Sequence, residues 1–325
     1  MTELALIYGG DTSEHDISVL SGKNCASLID MTRYRVHEVE LRGSDWKVVA
    51  CDGESLPGIQ VNKDDFSYVM PDGIRIKFEK VFMMIHGAPG ENGLFQAYLE
   101  MLHIPCTSCS SLSCALTFDK YASKQYLLGT GVHLPKDVFI QKGDFIDPEA
   151  IIGELGLPLF VKPTDNGSSF GVTKVKNVGA LNKAIRDAFG EGSSILAEEY
   201  ICGRELTQGV IAYRGEIIPL PVTEIRTDHE FFDYDAKYLG ESDEICPAEI
   251  SDEEFDALSR QSRIIYDRFA CKGMIRVDYM MRGNIPYFIE VNSIPGMTKM
   301  SLVPKQLSVA GIDATAFFTD MIENA

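Results

Sequence analysis

The chain has 325 residues, with 48 Asp and Glu against 30 Lys and Arg, a formal net charge of −18. At about 150 residues per domain this length holds two or three folding units. A composition of 45% hydrophobic and 24% charged residues excludes disorder, a collagen-like fibre and a coiled coil. So acidic a surface repels DNA, RNA and anionic lipid, so no nucleic-acid or membrane partner is expected. An anionic small molecule would need a few well-placed Lys or Arg to oppose the global field. No run approaches 18 apolar residues, and residues 1–9 show no basic stretch or signal core, so the expected location is the cytoplasm. The eight cysteines (25, 51, 106, 109, 114, 202, 246 and 271) are mostly scattered, as small hydrophobes are in a reducing compartment. His103, Cys106, Cys109 and Cys114 could be a metal site, but no second Cys pair closes a tetrahedron at zinc-ribbon spacing. A small-residue turn between helices is the better reading there.

In chain order, residues 4–8 are a short apolar run ending at Gly9-Gly10, which reads as a buried parallel strand feeding a turn. A helix follows over 16–28, with strands over 35–41 and 46–50. The apolar run 81–85 closes at His86-Gly87 and leads into a helix over 92–102. This alternation argues for an open α/β sheet in the first ~110 residues. After the Cys/Ser-rich turn at 106–114 come a helix over 117–128, extended chain through 139–140, and a strand over 157–161. A tight loop at 167–171, a helix over 180–189 and a strand over 195–199 follow. The last third alternates strands (210–213, 274–281, 287–291) with helices (253–269, 314–322).

Three segments carry chemistry. Gly9-Gly10 opens a helix after a strand, but G-x-G-x-x-G is absent and Glu14 has the wrong sign for a phosphate. A carboxylate there suits an ammonium group; the alternative is a solvated acid favoured by the helix dipole. Lys162 precedes a loop, residues 163–171, rich in backbone and hydroxyl donors, which is what a polyphosphate needs. A glycine-rich surface turn fits that segment equally well. The third segment is the most telling. Arg276-Val277-Asp278 lies on one apolar strand and Glu290-Val291-Asn292 on another. Alternation puts Glu290 and Asn292 on one face, so with Asp278 two carboxylates and a carboxamide oxygen converge. This hard-oxygen set suits Mg²⁺ bridging nucleotide phosphates. Arg276 shares the face of Asp278 and could stabilise a developing oxyanion.

Together these features resemble the ATP-grasp superfamily, and within it the D-alanine–D-alanine ligase family, over almost the whole chain. The resemblance rests on Gly9-Gly10-x-x-Ser13-Glu14-x-x-Ile17-Ser18, His86-Gly87-x-x-Gly90-Glu91-Asn92-Gly93, Asp119-Lys120, and Lys162-Pro163 with Gly167-Ser168-Ser169-x-Gly171. It continues through Phe232-Asp233-Tyr234-x-Ala236-Lys237-Tyr238, Arg276-x-Asp278, Glu290-x-Asn292-x-x-Pro295-Gly296-Met297-Thr298 and Ser301-Leu302-Val303-Pro304. It implies an α/β fold (α+β in its ATP-grasp part) of three domains. These are an N-terminal open parallel α/β sheet (1–108), a central lid domain (109–202) and a C-terminal domain with the Mg²⁺ and substrate sites (203–325).

The resemblance also implies an activity: transfer of the ATP γ-phosphoryl group to one D-alanine, then attack by the amine of a second, for peptidoglycan precursor synthesis. By matching positions, Lys120, Lys162, Ser169 and Lys237 would contact ATP phosphates, and Glu198, Glu199, Ile201 and Glu205 would hold adenine and ribose. Asp278, Glu290 and Asn292 would hold two Mg²⁺ or Mn²⁺ ions. Glu14 would pair with the first D-alanine's ammonium, with His86 near it. Arg276 and the Gly296 N–H would face the tetrahedral oxyanion, and Ser301 and Leu302 would hold the second D-alanine. A lid over 227–238 would exclude water, tied down by a Glu14–Ser168–Tyr238 link. The implied assembly is a homodimer. The competing readings are a D-alanine–D-lactate ligase and a non-catalytic ATP-binding protein. Tyr238 speaks against the first, and the intact Arg276, Asp278, Glu290 and Asn292 speak against the second.

Overall fold

The computed structural model describes residues 1–165, 170–227 and 242–325. Three sheets follow one another along the chain. The first has the order β4-β3-β2-β1-β7, from β1 (Thr2–Gly9), β2 (Tyr34–Arg42), β3 (Asp45–Cys51), β4 (Glu54–Gln60) and β7 (Lys80–Met83). β1 pairs in parallel with β2 and β7, as its unbroken apolar run demands, whereas β3 and β4 extend the edge antiparallel. The parallel part is therefore three strands wide, because the connections after β2 and β3 are too short for a crossover. A small hairpin of β5 (Ser67–Val69) and β6 (Arg75–Lys77) stands beside this sheet. Helix α1 (His15–Ala26) lies on β1 so closely that a Cβ at Gly22 would sit 2.1 Å from Tyr8 Cδ1, so only glycine fits there.

Helix α2 (Leu94–Met101) leads to a linker of two helices rather than one. α3 (Ser111–Phe118) is capped by the Ser110 side chain and α4 (Lys120–Leu127) by that of Asp119. Each cap accepts from a backbone N–H and restarts the helix, so the Cys/Ser-rich turn is shorter than expected and the 117–128 helix is broken at Asp119. The cysteines there take local partners: Cys106 Sγ meets Ser108 Oγ at 3.3 Å and Cys114 Sγ meets the Cys109 carbonyl at 3.6 Å.

The second sheet has the order β10-β9-β11-β8 and is antiparallel throughout. Its strands are β8 (Asp137–Gln141), β9 (Leu159–Pro163), β10 (Thr173–Val175) and β11 (Ser194–Glu199). They are backed by α5 (Pro148–Leu155) and α6 (Val178–Ala188). The third sheet runs β15-β14-β12-β16-β17, with β13 (Glu216–Pro219) on β12 (Arg204–Tyr213). The others are β14 (Thr223–Thr227), β15 (Ser242–Ile245), β16 (Met274–Arg282) and β17 (Ile285–Asn292). α7 (Asp252–Arg268) starts with a capping box of Ser251 and Glu254 and packs Leu258 and Ile265 into this sheet's core. α8 (Leu302–Val309) and α9 (Ala314–Glu323) end the chain. α9 returns to the first sheet, where Phe318 meets Phe82 edge-on at 4.9 Å. This return joins the first and third sheets into one body and sets the cleft between them.

Candidate active site

Strands β16 and β17 build the centre of the site. Their register sets Arg276 opposite Asn292 and Asp278 opposite Glu290, with a bulge after Asp278 that takes up Ile289. All four side chains therefore leave one face of the sheet, as alternation required. Arg276 grips Asp278 with two bonds, Nε to Oδ1 at 2.9 Å and a terminal guanidinium nitrogen to Oδ2 at 2.8 Å. The Thr207 hydroxyl donates to Oδ1 at 2.5 Å and Asn292 Nδ2 donates to Oδ2 at 3.0 Å. These donors fix the direction of the Asp278 carboxylate within the face. Lys120, at the start of α4, brings its ammonium to 3.4 Å from Glu290 Oε2.

This face opens into a cleft of about 730 Å³. From the first unit it is lined by Glu14, Asn24, His86 and Glu91, and from the third by Arg276, Glu290, Asn292, Gly296, Ser301 and Leu302. Glu14 occupies the N-cap position of α1. Its carboxylate lies against Gly87, where a Cβ would come within 3.1 Å of Glu14 Oε2 and 2.6 Å of Thr12 Oγ1; Gly87, at φ +67°, also needs glycine's backbone freedom. Glu91 closes the other side of that loop, with Oε2 accepting the Gly87 N–H at 2.9 Å and Oε1 the Ile294 N–H at 3.4 Å. Burial, reinforced by the charge of Glu14, pushes the Glu91 carboxyl up to about 8. His86 is buried and uses both ring nitrogens, Nδ1 on the Ile294 carbonyl at 2.9 Å and Nε2 on Ser21 Oγ at 2.8 Å. Burial pushes its pKa down, which favours the neutral ring with its proton on Nδ1.

Pro295 has no N–H, and Ile294 and Met297 have theirs bonded, to Glu91 and to Ser21 Oγ at 3.1 Å. Gly296 N–H is thus the one amide of 294–297 without a hydrogen-bond partner among the described residues, and Gly296 lines the cleft. The Ser301 hydroxyl accepts from the Thr298 N–H at 3.0 Å and meets Thr298 Oγ1 at 2.8 Å, at the start of α8.

Lys162, Glu198 and Glu199 belong to a second cluster, on the second sheet. Lys162 on β9 donates to Glu198 Oε2 at 2.6 Å across to β11. Lys124 on α4, only 2% exposed, donates to Glu198 Oε1 at 2.7 Å and to the Pro135 carbonyl at 2.7 Å, and meets Asp137 Oδ2 at 2.5 Å. Burial pushes the Glu198 carboxyl up, but Lys162 and Lys124 outweigh it and hold the group below its usual range. The Glu199 side chain accepts the Lys136 N–H at 2.8 Å, and Ile201 is buried. Glu205 lies on β12 opposite Met280 and Ile225. Ser168, Ser169, Lys237 and Tyr238 lie outside the described residues, as does residue 228 onward of the 227–238 lid. No role was read from the sequence for Lys124, Ser21, Asn24, Glu91 or Thr207. A signal existed for Lys124, which shares the buried phase of α4 with Ser123 and Leu127.

A hard-oxygen set at the end of paired strands with Lys120 beside it, and an antiparallel sheet carrying a buried Lys162–Glu198 pair, form the arrangement of the ATP-grasp fold. Comparison with known proteins narrows the class. The family model for the D-ala D-ala ligase N-terminus matches residues 3–109, and that for the C-terminus matches residues 130–323. The chain belongs to the D-alanine–D-alanine ligase family. It is 42% identical over 322 residues to a D-alanine–D-alanine ligase of Parabacteroides distasonis, covering 99% of this chain and 96% of that protein. It is 41% identical to the Flavobacterium johnsoniae protein of the same name, covering 99% of each. Among solved structures, the VanG D-Ala:D-Ser ligase of Enterococcus faecalis matches with a TM-score of 0.86 and 29% identity, over 99% of this chain and 98% of that one. The D-alanine–D-alanine ligase of Bacillus anthracis complexed with ATP matches with a TM-score of 0.78 and 28% identity, over 100% and 97%.

Proposed function

We propose that this chain joins two D-alanine molecules into D-alanyl-D-alanine at the expense of ATP, supplying the dipeptide for peptidoglycan synthesis. The observation that carries this reading is the Arg276–Asp278–Glu290–Asn292 face, of which Arg276, Glu290 and Asn292 line the same cleft as Glu14 and Ser301. In the first step a carboxylate oxygen of one D-alanine attacks the γ-phosphorus of ATP, and ADP leaves. Glu14 pairs with the ammonium of that D-alanine. Its carboxylate lies beside Gly87 in the cleft, where it suits that cation. In the second step the neutral amine of the other D-alanine attacks the acyl carbon, phosphate departs with the acyl oxygen and its bonding pair, and the attacking nitrogen loses one proton to solvent. Arg276 and the Gly296 N–H hold the oxyanion between these events. Ser301 receives the second D-alanine's carboxylate, with Leu302 against its side chain.

Lys120 and Lys162 offset the phosphate charge of ATP within a chain of net charge −18; Ser169 and Lys237 complete that set. Glu199, Ile201 and Glu205 hold the adenine and ribose. Glu198 acts there too, by fixing the Lys162 ammonium.

Asp278, Glu290 and Asn292 are the residues that would hold Mg²⁺ or Mn²⁺, two ions in all. Their oxygens suit a hard cation, and with Nδ2 of Asn292 spent on Asp278 the carboxamide oxygen is the atom left to ligate. With only two carboxylates in the set, the protein alone would offer too few ligands to hold the ions tightly without nucleotide. When bound, the metal neutralises charge on the transferring phosphoryl group. Calorimetry tests this: Mg²⁺ should bind tightly only together with ATP, and strong binding to the nucleotide-free protein would contradict the assignment. Glu290→Gln should keep the fold and lose most phosphate release. Normal turnover in that variant would remove the site from the reaction. The reading extends to a three-domain division at about residues 108 and 202, a cytoplasmic homodimer, and a lid including Tyr238 that is linked to Glu14 through Ser168. No helix among the described residues is long and apolar enough to cross a membrane.

A further inference from the structure

The turn after β17 is held by the first unit of the molecule rather than by its own. Asn24 Nδ2 donates to the Met297 carbonyl at 2.7 Å, and the Met297 N–H donates to Ser21 Oγ at 3.1 Å. The Ser21 hydroxyl donates to His86 Nε2 at 2.8 Å, and the His86 Nδ1–H donates to the Ile294 carbonyl at 2.9 Å. Glu91 accepts from the Ile294 N–H. The chain of donors leaves the turn at Met297 and re-enters it at Ile294, and one neutral histidine tautomer satisfies every link. Backbone groups on both sides of Pro295-Gly296 are therefore pinned, and Ser21, Met297, Ile294 and His86 are all buried. Nothing in the family's quoted motifs points to Ser21 or Asn24. They lie on α1, one helical turn apart, facing a segment some 270 residues later.

We infer that Ser21 and Asn24 are positioning residues for the ligation step: together with His86 they fix the 294–297 turn so that the Gly296 N–H meets the tetrahedral oxyanion. The inference rests on the proposed role of Gly296 and Arg276 in holding that oxyanion. The physical reason is preorganisation. A donor contributes to the transition state only if its direction is set before charge develops, and a misplacement of about 1 Å can cost about 10²-fold. Such residues affect amine attack on the acyl phosphate. They leave its formation alone, because phosphoryl transfer from ATP does not use this N–H.

The test separates the two half-reactions. Ser21→Ala, Asn24→Ala and Arg276→Ala are compared with the parent in two assays: dipeptide formation, and scrambling of the labelled bridging oxygen in β,γ-labelled ATP with D-alanine present. The second assay reports reversible acyl-phosphate formation. The expected result for Ser21→Ala and Asn24→Ala is a fall of about tenfold in kcat for the dipeptide, with scrambling and ATP KM within about twofold of the parent. Asn24 is only partly buried, so its variant decides the matter if Ser21→Ala fails to fold. Dipeptide formation at the parent rate in both variants, with Arg276→Ala impaired, overturns the inference and leaves the oxyanion reading standing. An equal loss in both assays also overturns it, because it means a general structural role. An unimpaired Arg276→Ala overturns the oxyanion reading itself.

Discussion

Lys124 is the residue whose removal the structure prices most clearly. Its ammonium, 2% exposed, is shared by Glu198, Asp137 and the Pro135 carbonyl. Lys124→Met keeps the length and apolar stem of the side chain but leaves Glu198 with Lys162 alone and takes one buried cation from Asp137. Breaking a buried pair by deleting one partner costs about 3–5 kcal/mol. At roughly 2–4 °C per kcal/mol this lowers Tm by about 6–20 °C. The pH dependence follows with a definite sign. The Glu198 carboxyl is held below its usual range, so its contribution to stability is present above the unfolded carboxylate pKa and is lost as pH falls through the folded value. With one cation gone that folded value rises, and acid destabilisation of the variant begins at higher pH. Calorimetric scans from about pH 4 to 8, bracketing carboxylate titration, measure both effects. A variant that melts within about 2 °C of the parent, well under the expected cost, would refute the argument that this cluster is a buried, mutually dependent set.

Other outcomes are equally specific. Arg276→Ala should lower kcat by about 10²–10³ while changing KM far less, since one preorganised oxyanion donor is lost; an unchanged kcat with a raised ATP KM would make Arg276 a nucleotide ligand. Glu91 is held neutral, so its stabilisation is fully present below the ordinary carboxylate pKa and is lost as pH rises through about 8. Glu91→Gln stays neutral, and its urea midpoint should therefore gain on the parent's from about pH 5 to 9; a constant difference would deny the raised pKa. Tyr238→Phe should lose dipeptide and gain ester product with D-lactate, most at low pH where the acceptor amine is protonated, and a product ratio equal to the parent's at every pH would remove Tyr238 from acceptor choice.

Much of this molecule was legible in its sequence because burial writes a period into it. Residues 4–8 announced β1, and the two apolar strands announced β16 and β17 with Glu290 and Asn292 on one face. Arg276 and Asp278 then fell opposite those residues in the register. What escaped depends on long-range contact or on caps outweighed by composition. The sequence reading passed over α5, although Asp147 followed by Pro148 is a sound helix start. The break at Asp119 was hidden because the residues on both sides favour helix, and only the cap shows that the chain restarts. β4 left no periodic signal, because none of its residues is buried and Pro57-Gly58 interrupts it. Lys124, Ser21 and Glu91 take their meaning from partners 74, 276 and 203 residues away. Local spacing carries no trace of such pairings.

The reaction proposed for the cleft between the first and third sheets is amide-bond formation from two D-alanines at the expense of ATP. Incubating the purified chain with ATP, Mg²⁺ and D-alanine, and quantifying phosphate and D-alanyl-D-alanine together, tests it most directly. Equal amounts of the two products are expected, with no dipeptide from L-alanine and near-complete loss of both products in Glu290→Gln. Phosphate release that does not require D-alanine, or that yields no dipeptide, would contradict it.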